Sequence, residues 1–359
     1  MRPLATCSSP QSSPGLVSGN TRAHPGRFIT QEGATAVSRR GFIKGVGAVA
    51  TASMFQVRVG AAEQVRAAPP GAGRIRFGVQ PRPEHTTYDD ILRCWQTCDE
   101  LGFDSAFTFD HFIPIDGKPG PCLEGWTLLS ALAAQTKHVK VGVLVTGNTY
   151  RYPAVLAKMA ATVDQVSHGR LILGMGAAWF EAEHTAYDIP FYSKGERARR
   201  LVESVQVVKA LFTQDKATFT GKYYQLKDAP CDPKPVQRPH PPILIGGMGP
   251  KVVLPLVARH ADIWNFFAPD DPAQVKEIIA SFDALCRKVG RDPAEVEKQT
   301  TLHPKEIAGR PAEEVQSRVR ALAAAGVRHF VVSLPAPYDM TMLRTFAKDV
   351  MPALRDSQA

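Results

Sequence analysis

In Ser105-Ala106-Phe107-Thr108-Phe109-Asp110-His111-Phe112, an uncharged run is followed at once by an acid and an imidazole. The run Ser105 to Asp110 reads as a strand too apolar to face water on either side. Strands of that kind belong to parallel sheets covered by helices. Asp110 and His111 then stand at the carboxyl end of the strand, where parallel α/β folds collect their chemistry. His111 is a candidate proton-transfer group, because an imidazole titrates near neutral pH. The competing reading is a structural histidine bonded to a neighbouring carbonyl.

Runs of the same kind recur at Arg74 to Gln80, Lys140 to Thr146, Arg170 to Gly176, Ile243 to Gly247, Asp262 to Phe267, Gln299 to Ile307 and His329 to Pro335. Helical spacing fills the gaps at Tyr88 to Leu101, Trp126 to Gln135, Pro153 to Ser167, Pro250 to His260, Pro272 to Val289 and Pro311 to Ala325. Several of these segments open on proline, which a first helical turn tolerates, and several stop at glycine, as at Gly102, Gly169 and Gly290. Eight strand and helix units most simply close into a (β/α)8 TIM-like barrel. A doubly wound open sheet is the alternative, but Gly78-Val79-Gln80-Pro81 lacks the GxGxxG expected after its first strand. The helix Gly195 to Phe212, the hairpin-like Ala217 to Leu226 and the proline-rich Asp232 to Pro242 interrupt the alternation. They read as an insertion, residues 190–242, in a single domain spanning residues 73–356.

The leader is of a different kind. Residues 1–37 are rich in Ser, Pro, Gly and Thr with little periodicity. Ser38-Arg39-Arg40-Gly41-Phe42-Ile43-Lys44 then precedes a small apolar run, Gly45 to Phe55. That pattern predicts a twin-arginine (Tat) export signal within residues 1–68, cleaved near Ala61 or Ala62. A disordered basic tail containing Arg-Arg by chance is the alternative. The apolar run is too short to span a bilayer stably. Export by the Tat machinery carries folded proteins, often with a cofactor already loaded, to the periplasm, cell envelope or exterior.

Residues 1–68 hold 8 of the 43 Lys and Arg and 2 of the 34 Asp and Glu, leaving the remainder at +3. A balance that close to neutral gives no basic footprint for nucleic acid. Beyond Cys7 the five cysteines form no CxxC pair, and Cys94 and Cys98, one helical turn apart, read as small buried side chains rather than a disulfide. No metal is expected. Glu181, Glu183 and His184 lie together without an HExxH or Cys/His cluster and read as a solvated helix start.

Two strand ends carry glycines, Gly174-Met175-Gly176-Ala177-Ala178-Trp179 and Gly246-Gly247-Met248-Gly249-Pro250-Lys251. In the second, a helix start at Pro250 offers free amides and a positive dipole end, and Lys251 adds charge, so it reads as a candidate phosphate cradle. A purely steric use of such glycines is the alternative.

The run Thr146-Gly147-Asn148-Thr149-Tyr150-Arg151-Tyr152-Pro153, with Asp164-Gln165-Val166-Ser167-His168-Gly169-Arg170 leading into Gly174-Met175-Gly176, resembles the luciferase-like monooxygenase superfamily. More narrowly it resembles the branch that uses coenzyme F420, a deazaflavin. Asp110-His111-Phe112, Phe219-Thr220-Gly221-Lys222-Tyr223-Tyr224 and Ala258-Arg259-His260-Ala261-Asp262 support the likeness, which covers essentially the whole chain after the leader. The resemblance implies a TIM-like barrel, usually dimeric, with His111 as catalytic acid/base and Asp110 at the cofactor or orienting the imidazole. It implies a bulge with a non-proline cis peptide within Leu144 to Gly147, which brings Val145, Thr146 and Gly147 under the ring. By the same likeness Met175 and Gly176 contact the ring and ribityl region, and Met248, Gly249, Lys251 and Val252 hold the phosphate.

This chain departs from the family's sugar-phosphate dehydrogenases at three positions. It has Ala177 and Phe180 where they carry glutamate and asparagine, and Ile115 where they carry tryptophan. A phosphorylated sugar is therefore not the expected substrate. Trp126, Trp179, Phe180 and Phe191 are candidates for an apolar pocket, with plain core packing as the alternative. The expected function is hydride transfer between an organic substrate and the deazaflavin, with His111 moving the companion proton. The alternatives are an FMN-dependent monooxygenase on the same barrel and an exported protein that holds the cofactor without turnover.

Overall fold

The computed structural model describes residues 74–355, so the leader and its export signal lie outside the described residues. Both faces of a strand can be buried only if something covers each, and here side chains alternate between two cores. Phe77 and Val79 of β1 (Arg76–Pro81) face a helical layer that begins with α1 (Tyr88–Glu100). In β2 (Ser105–Thr108) Ala106 joins that layer, while Phe107 turns into the interior. The chain continues through α2 (Gly125–Gln135), β3 (Lys140–Val143), the two-residue β4 (Thr146–Gly147), α3 (Pro153–Val166), β5 (Leu171–Gly176) and α4 (Glu181–Ala186). After α5 (Lys194–Thr213) come β6 (Lys216–Thr220), β7 (Gln225–Pro230), β8 (Ile243–Gly246), α6 (Val253–His260), β9 (Ile263–Phe266) and α7 (Pro272–Lys288). The described chain ends with β10 (Glu297–Leu302), α8 (Ala312–Ala324), β11 (His329–Leu334), α9 (Met340–Thr345) and α10 (Met351–Arg355).

Parallel pairing runs β1–β2–β3–β5–β8–β9–β10–β11 and returns from β11 to β1, which closes the ring. The eight-stranded barrel expected from the alternation is therefore formed. Its interior is filled by Phe107, Leu144, Ile172, Leu244, Ile263 and Val331, with Val145 packed on them. Among the described residues no helix is long and apolar enough to cross a membrane.

The ends of α1 are set by a side-chain cap and a glycine. Thr87 caps α1 by accepting from the Asp90 amide, and Gly102, at φ +76, turns the chain out of it. Cys94 and Cys98 are free thiols buried on its inner face. Three expected boundaries move. The third strand is interrupted at a cis Leu144–Val145 peptide, inside the segment where one was expected, and resumes as β4 beside the end of β5. The seventh strand ends at Leu302, because Pro304–Glu306 forms a 3-10 turn. The expected insertion 190–242 is too broad: α5 packs against α3 and α6 and buries Leu201, Val205, Val208 and Leu211, so it is a helix of the barrel layer. The true interruption is the β6–β7 hairpin and the segment after it.

At the amino-terminal end of the ring the interior is polar. His329 Nε2 and Ser105 Oγ lie 2.8 Å apart, and His329 Nδ1 lies 2.7 Å from Glu297 Oε1, while Arg76 pairs with the same glutamate. Gln299 Oε1 accepts from Asn265 Nδ2 at 2.9 Å. Burial, with Arg76 adding to it and Asp104 opposing, pushes the imidazole down to about 3. It is thus neutral, donating through Nδ1 to the carboxylate and accepting the serine hydroxyl at Nε2. In the unfolded chain the same ring titrates near the ordinary 6.5. Between these values the unfolded state binds the extra proton, so this group's stabilisation is complete above the unfolded value. It is lost by about 1.4 kcal/mol per pH unit as pH falls toward the folded one. Urea unfolding of wild type and His329→Gln at pH 7 and pH 4.5 should show the smaller acid loss in the variant; parallel losses would refute the assignment.

Candidate active site

The mouth at the carboxyl ends of the strands is organised by two carboxylates sealed from water. Asp110, directly after Phe109 at the end of the β2 run, is fully buried. Arg151 reaches it with both terminal nitrogens, at 2.6 and 3.0 Å, and the Thr146 hydroxyl donates to it as well. Arg151 also pairs with Glu124, which caps α2 by accepting from the Trp126 and Thr127 amides at 3.1 and 2.7 Å. Burial lowers a guanidinium, but Asp110 and Glu124 overcome it and hold Arg151 above its ordinary value. The Trp126 indole N–H donates to Thr146 Oγ1 at 3.0 Å, so Trp126 belongs to the core and not to an apolar pocket.

Asp110 is therefore not the partner of His111. Its oxygens accept from Arg151 and Thr146, so the expectation that its side chain orients the imidazole does not hold. The partner is Glu183 of α4. Its Oε1 lies 2.7 Å from His111 Nδ1 and also accepts the Tyr150 hydroxyl, and its Oε2 accepts the Phe112 amide at 2.8 Å. Burial pushes this carboxyl up, yet the bonds from His111, Tyr150 and Phe112 hold it below the usual carboxylate range. His184, the next residue, bonds the Phe180 carbonyl and the Thr149 hydroxyl at 2.7 Å each. The expected solvated helix start is thus wrong for both residues, which are fully buried.

His111 itself is 8% exposed, and its Nε2 has no partner among the described residues and is not sealed from solvent. Aromatic edges surround the ring: Phe109 at 5.2 Å, Trp179 at 5.7 Å and Phe180 at 5.8 Å between centroids. Trp179 follows Ala178, whose φ of +62 turns the chain outward after β5, and it stands 60% exposed, stacked on Phe180. Phe191 packs instead on His184 and under the Arg197 guanidinium, away from the imidazole.

The glycines of the two loops serve different ends. A Cβ on Gly174 would fall 1.9 Å from the Val143 carbonyl, and one on Gly176 would fall 2.6 Å from Val145 Cγ2. One on Gly246 would lie 3.2 Å from Val145 Cγ1, so these glycines make room for the bulge. Gln80 of β1 reaches across the lumen to donate to the Leu144 carbonyl at 2.7 Å. Thr146, Gly147, Met175 and Gly176 are all buried, and the Met175 side chain faces the helical layer, which leaves only its backbone for the lumen. After β8, Gly247 takes φ +127, and the helix begins at Val253, three residues later than expected. The amides of Met248, Gly249, Lys251 and Val252 consequently have no partner among the described residues.

Elsewhere among the described residues, Glu84, His85 and Asp116 bring ligand atoms within 4.8 Å of one another. Glu84 is already engaged by the Ile115 amide at 2.7 Å and by Arg82 at 3.5 Å.

Residues 72–352 match the family described as luciferase-like monooxygenase. This chain belongs to that family. It is 32% identical over 238 residues to an F420-dependent glucose-6-phosphate dehydrogenase of Microbacterium testaceum (strain StLB037), covering 64% of this chain and 69% of the relative. It is 28% identical over 279 residues to an F420-dependent hydroxymycolic acid dehydrogenase of Mycobacterium tuberculosis (strain ATCC 25618 / H37Rv), covering 75% and 73%. A solved F420-dependent secondary alcohol dehydrogenase, in complex with an F420-acetone adduct, superposes with a TM-score of 0.70 at 24% identity over 79% of this chain and 100% of that one. That likeness concerns the barrel.

Glu183, Tyr150, Arg151 and Glu124 carried no role in the sequence reading. Tyr150 and Arg151 stood inside the family motif, but nothing local marks which carboxylate each one meets. Replacing Arg151 by Met leaves Asp110 buried without its counter-charge, which costs about 3–5 kcal/mol. Chemical unfolding should read that loss, and an unaltered midpoint would mean that Asp110 does not depend on Arg151.

Proposed function

We propose that this protein is an exported F420-dependent oxidoreductase in which His111 is the acid/base. The observation that carries the reading is the imidazole at the mouth of the barrel, fixed through Nδ1 and open through Nε2. The cofactor's fit is supported by the cluster of unpartnered amides at Met248, Gly249, Lys251 and Val252, beside a lysine side chain. That cluster suits a phosphate. The backbone of Val145, Thr146, Gly147, Met175 and Gly176 supplies the wall on the lumen side. When bound, the deazaflavin supplies a two-electron hydride donor or acceptor. His111 Nε2 takes the hydroxyl proton of an alcohol substrate, or returns one to a carbonyl oxygen, while the aromatic edges exclude water from the exchange.

The substrate is a small molecule with an apolar body. Phe180 and Trp179 face the imidazole, and Ala177 and Ile115 stand where the family's sugar-phosphate dehydrogenases carry polar or aromatic groups. The family likeness supports a homodimer. Residues 1–68, with Arg39-Arg40 and the apolar run after them, would deliver the folded holoprotein through the Tat machinery to the cell envelope or beyond.

Purification from a deazaflavin-producing host should yield protein with the bound cofactor's absorption. A flavin spectrum with oxygen uptake would instead favour an FMN-dependent monooxygenase, and bound cofactor without turnover would favour a carrier. His111→Ala should lower turnover about 10²- to 10⁴-fold with cofactor affinity nearly unchanged. An unchanged rate would remove the role given to this residue.

A further inference from the structure

We propose that Glu183 is the positioning residue of the site, holding His111 with its proton on Nδ1 so that Nε2 is the nitrogen that exchanges protons with substrate. The inference rests on the reading of His111 as acid/base.

An ionised carboxylate only accepts, so the 2.7 Å contact requires an N–H on Nδ1, and a neutral imidazole then has its lone pair on Nε2. The Tyr150 hydroxyl and the Phe112 amide occupy other lone pairs of Glu183 and stop the carboxylate from turning away. Glu183 is fully buried, and its charge acts on the ring with little screening. When Nε2 takes the substrate's proton, the imidazolium forms against that carboxylate. The proton later leaves from Nε2 to solvent, and Glu183 itself is not protonated.

The other groups facing the ring do not supply this charge. Asp110 is compensated by Arg151, which Glu124 shares. The Cys122 thiol lies 3.5 Å from the His111 carbonyl and is pushed up to about 12 by burial and by the carboxylates of Glu84, Glu183 and Asp110, so it stays neutral. Burial and Glu183 raise the Tyr150 hydroxyl well above its ordinary value, which keeps it a donor. His184 contacts Tyr150 and is bonded to Phe180 and Thr149. Phe109, Trp179 and Phe180 bring no charge. The carboxylate that meets the imidazole comes from α4.

The test reads the ring directly. In the full chain with ¹⁵N-labelled histidine, the His111 signal is assigned by its loss in His111→Asn. The neutral ring should be the Nδ1–H tautomer. Glu183→Gln, which preserves shape and removes charge, should lower the ring's titration midpoint. The ascending limb of kcat/KM for alcohol oxidation should move to lower pH in step, and Glu183→Asp should restore part of the shift. An Nε2–H tautomer in wild type, or an unmoved midpoint in Glu183→Gln, overturns the proposal. The wild-type tautomer decides it even if that variant does not fold. The expected tautomer together with an unchanged rate in His111→Ala would instead refute the acid/base reading of His111 and leave the coupling to Glu183 standing.

Discussion

A carboxylate shut away from water must find a cation or several donors, or it gives up its charge. Two such groups, Asp110 and Glu183, set the arrangement of the barrel mouth. Asp110 draws in Arg151 and Thr146, and through Arg151 it ties the end of the β2 run to Glu124 at the start of α2. Glu183 draws in His111, Tyr150 and the Phe112 amide, and ties α4 to the same segment from the other side. The neighbours Asp110 and His111 are thereby sent to different partners, one structural and one facing the opening.

Tyr150 and Arg151 show how closely the two systems are joined. Adjacent in the loop between β4 and α3, they diverge to the two carboxylates, so the loop's position is set from both ends. The loop itself begins where Val145 fills the space left by Gly174, Gly176 and Gly246. A side chain at any of those glycines would meet the bulge, and the steric use of glycine foreseen for such turns accounts for them. The Gly247 loop differs, since its backbone amides remain without partners and its helix starts late.

Polar order recurs at the opposite end of the ring, where Glu297, His329 and Ser105 satisfy one another deep in the interior. A serine, a histidine and a glutamate in a row resemble a nucleophilic triad in their bonding. All three are nearly inaccessible, however, and the imidazole's depressed basicity opposes its taking a proton. The same residue types therefore stand open to solvent at His111 Nε2 at one end of the barrel and are sealed in the interior at the other.

The barrel was legible in the residue order, because continuous apolar strands alternating with helices of fixed punctuation have few ways to bury both faces. His111 was legible too, as a titratable group at a strand end. The partners Glu183 and Arg151 were not, since they lie 72 and 41 positions from the residues they bind. Local pattern encodes which face of an element is apolar, and it does so within a few residues of each position. Which carboxylate meets which donor depends on loops and helices from three different strand ends arriving at one place, and that convergence exists only once the ring has closed.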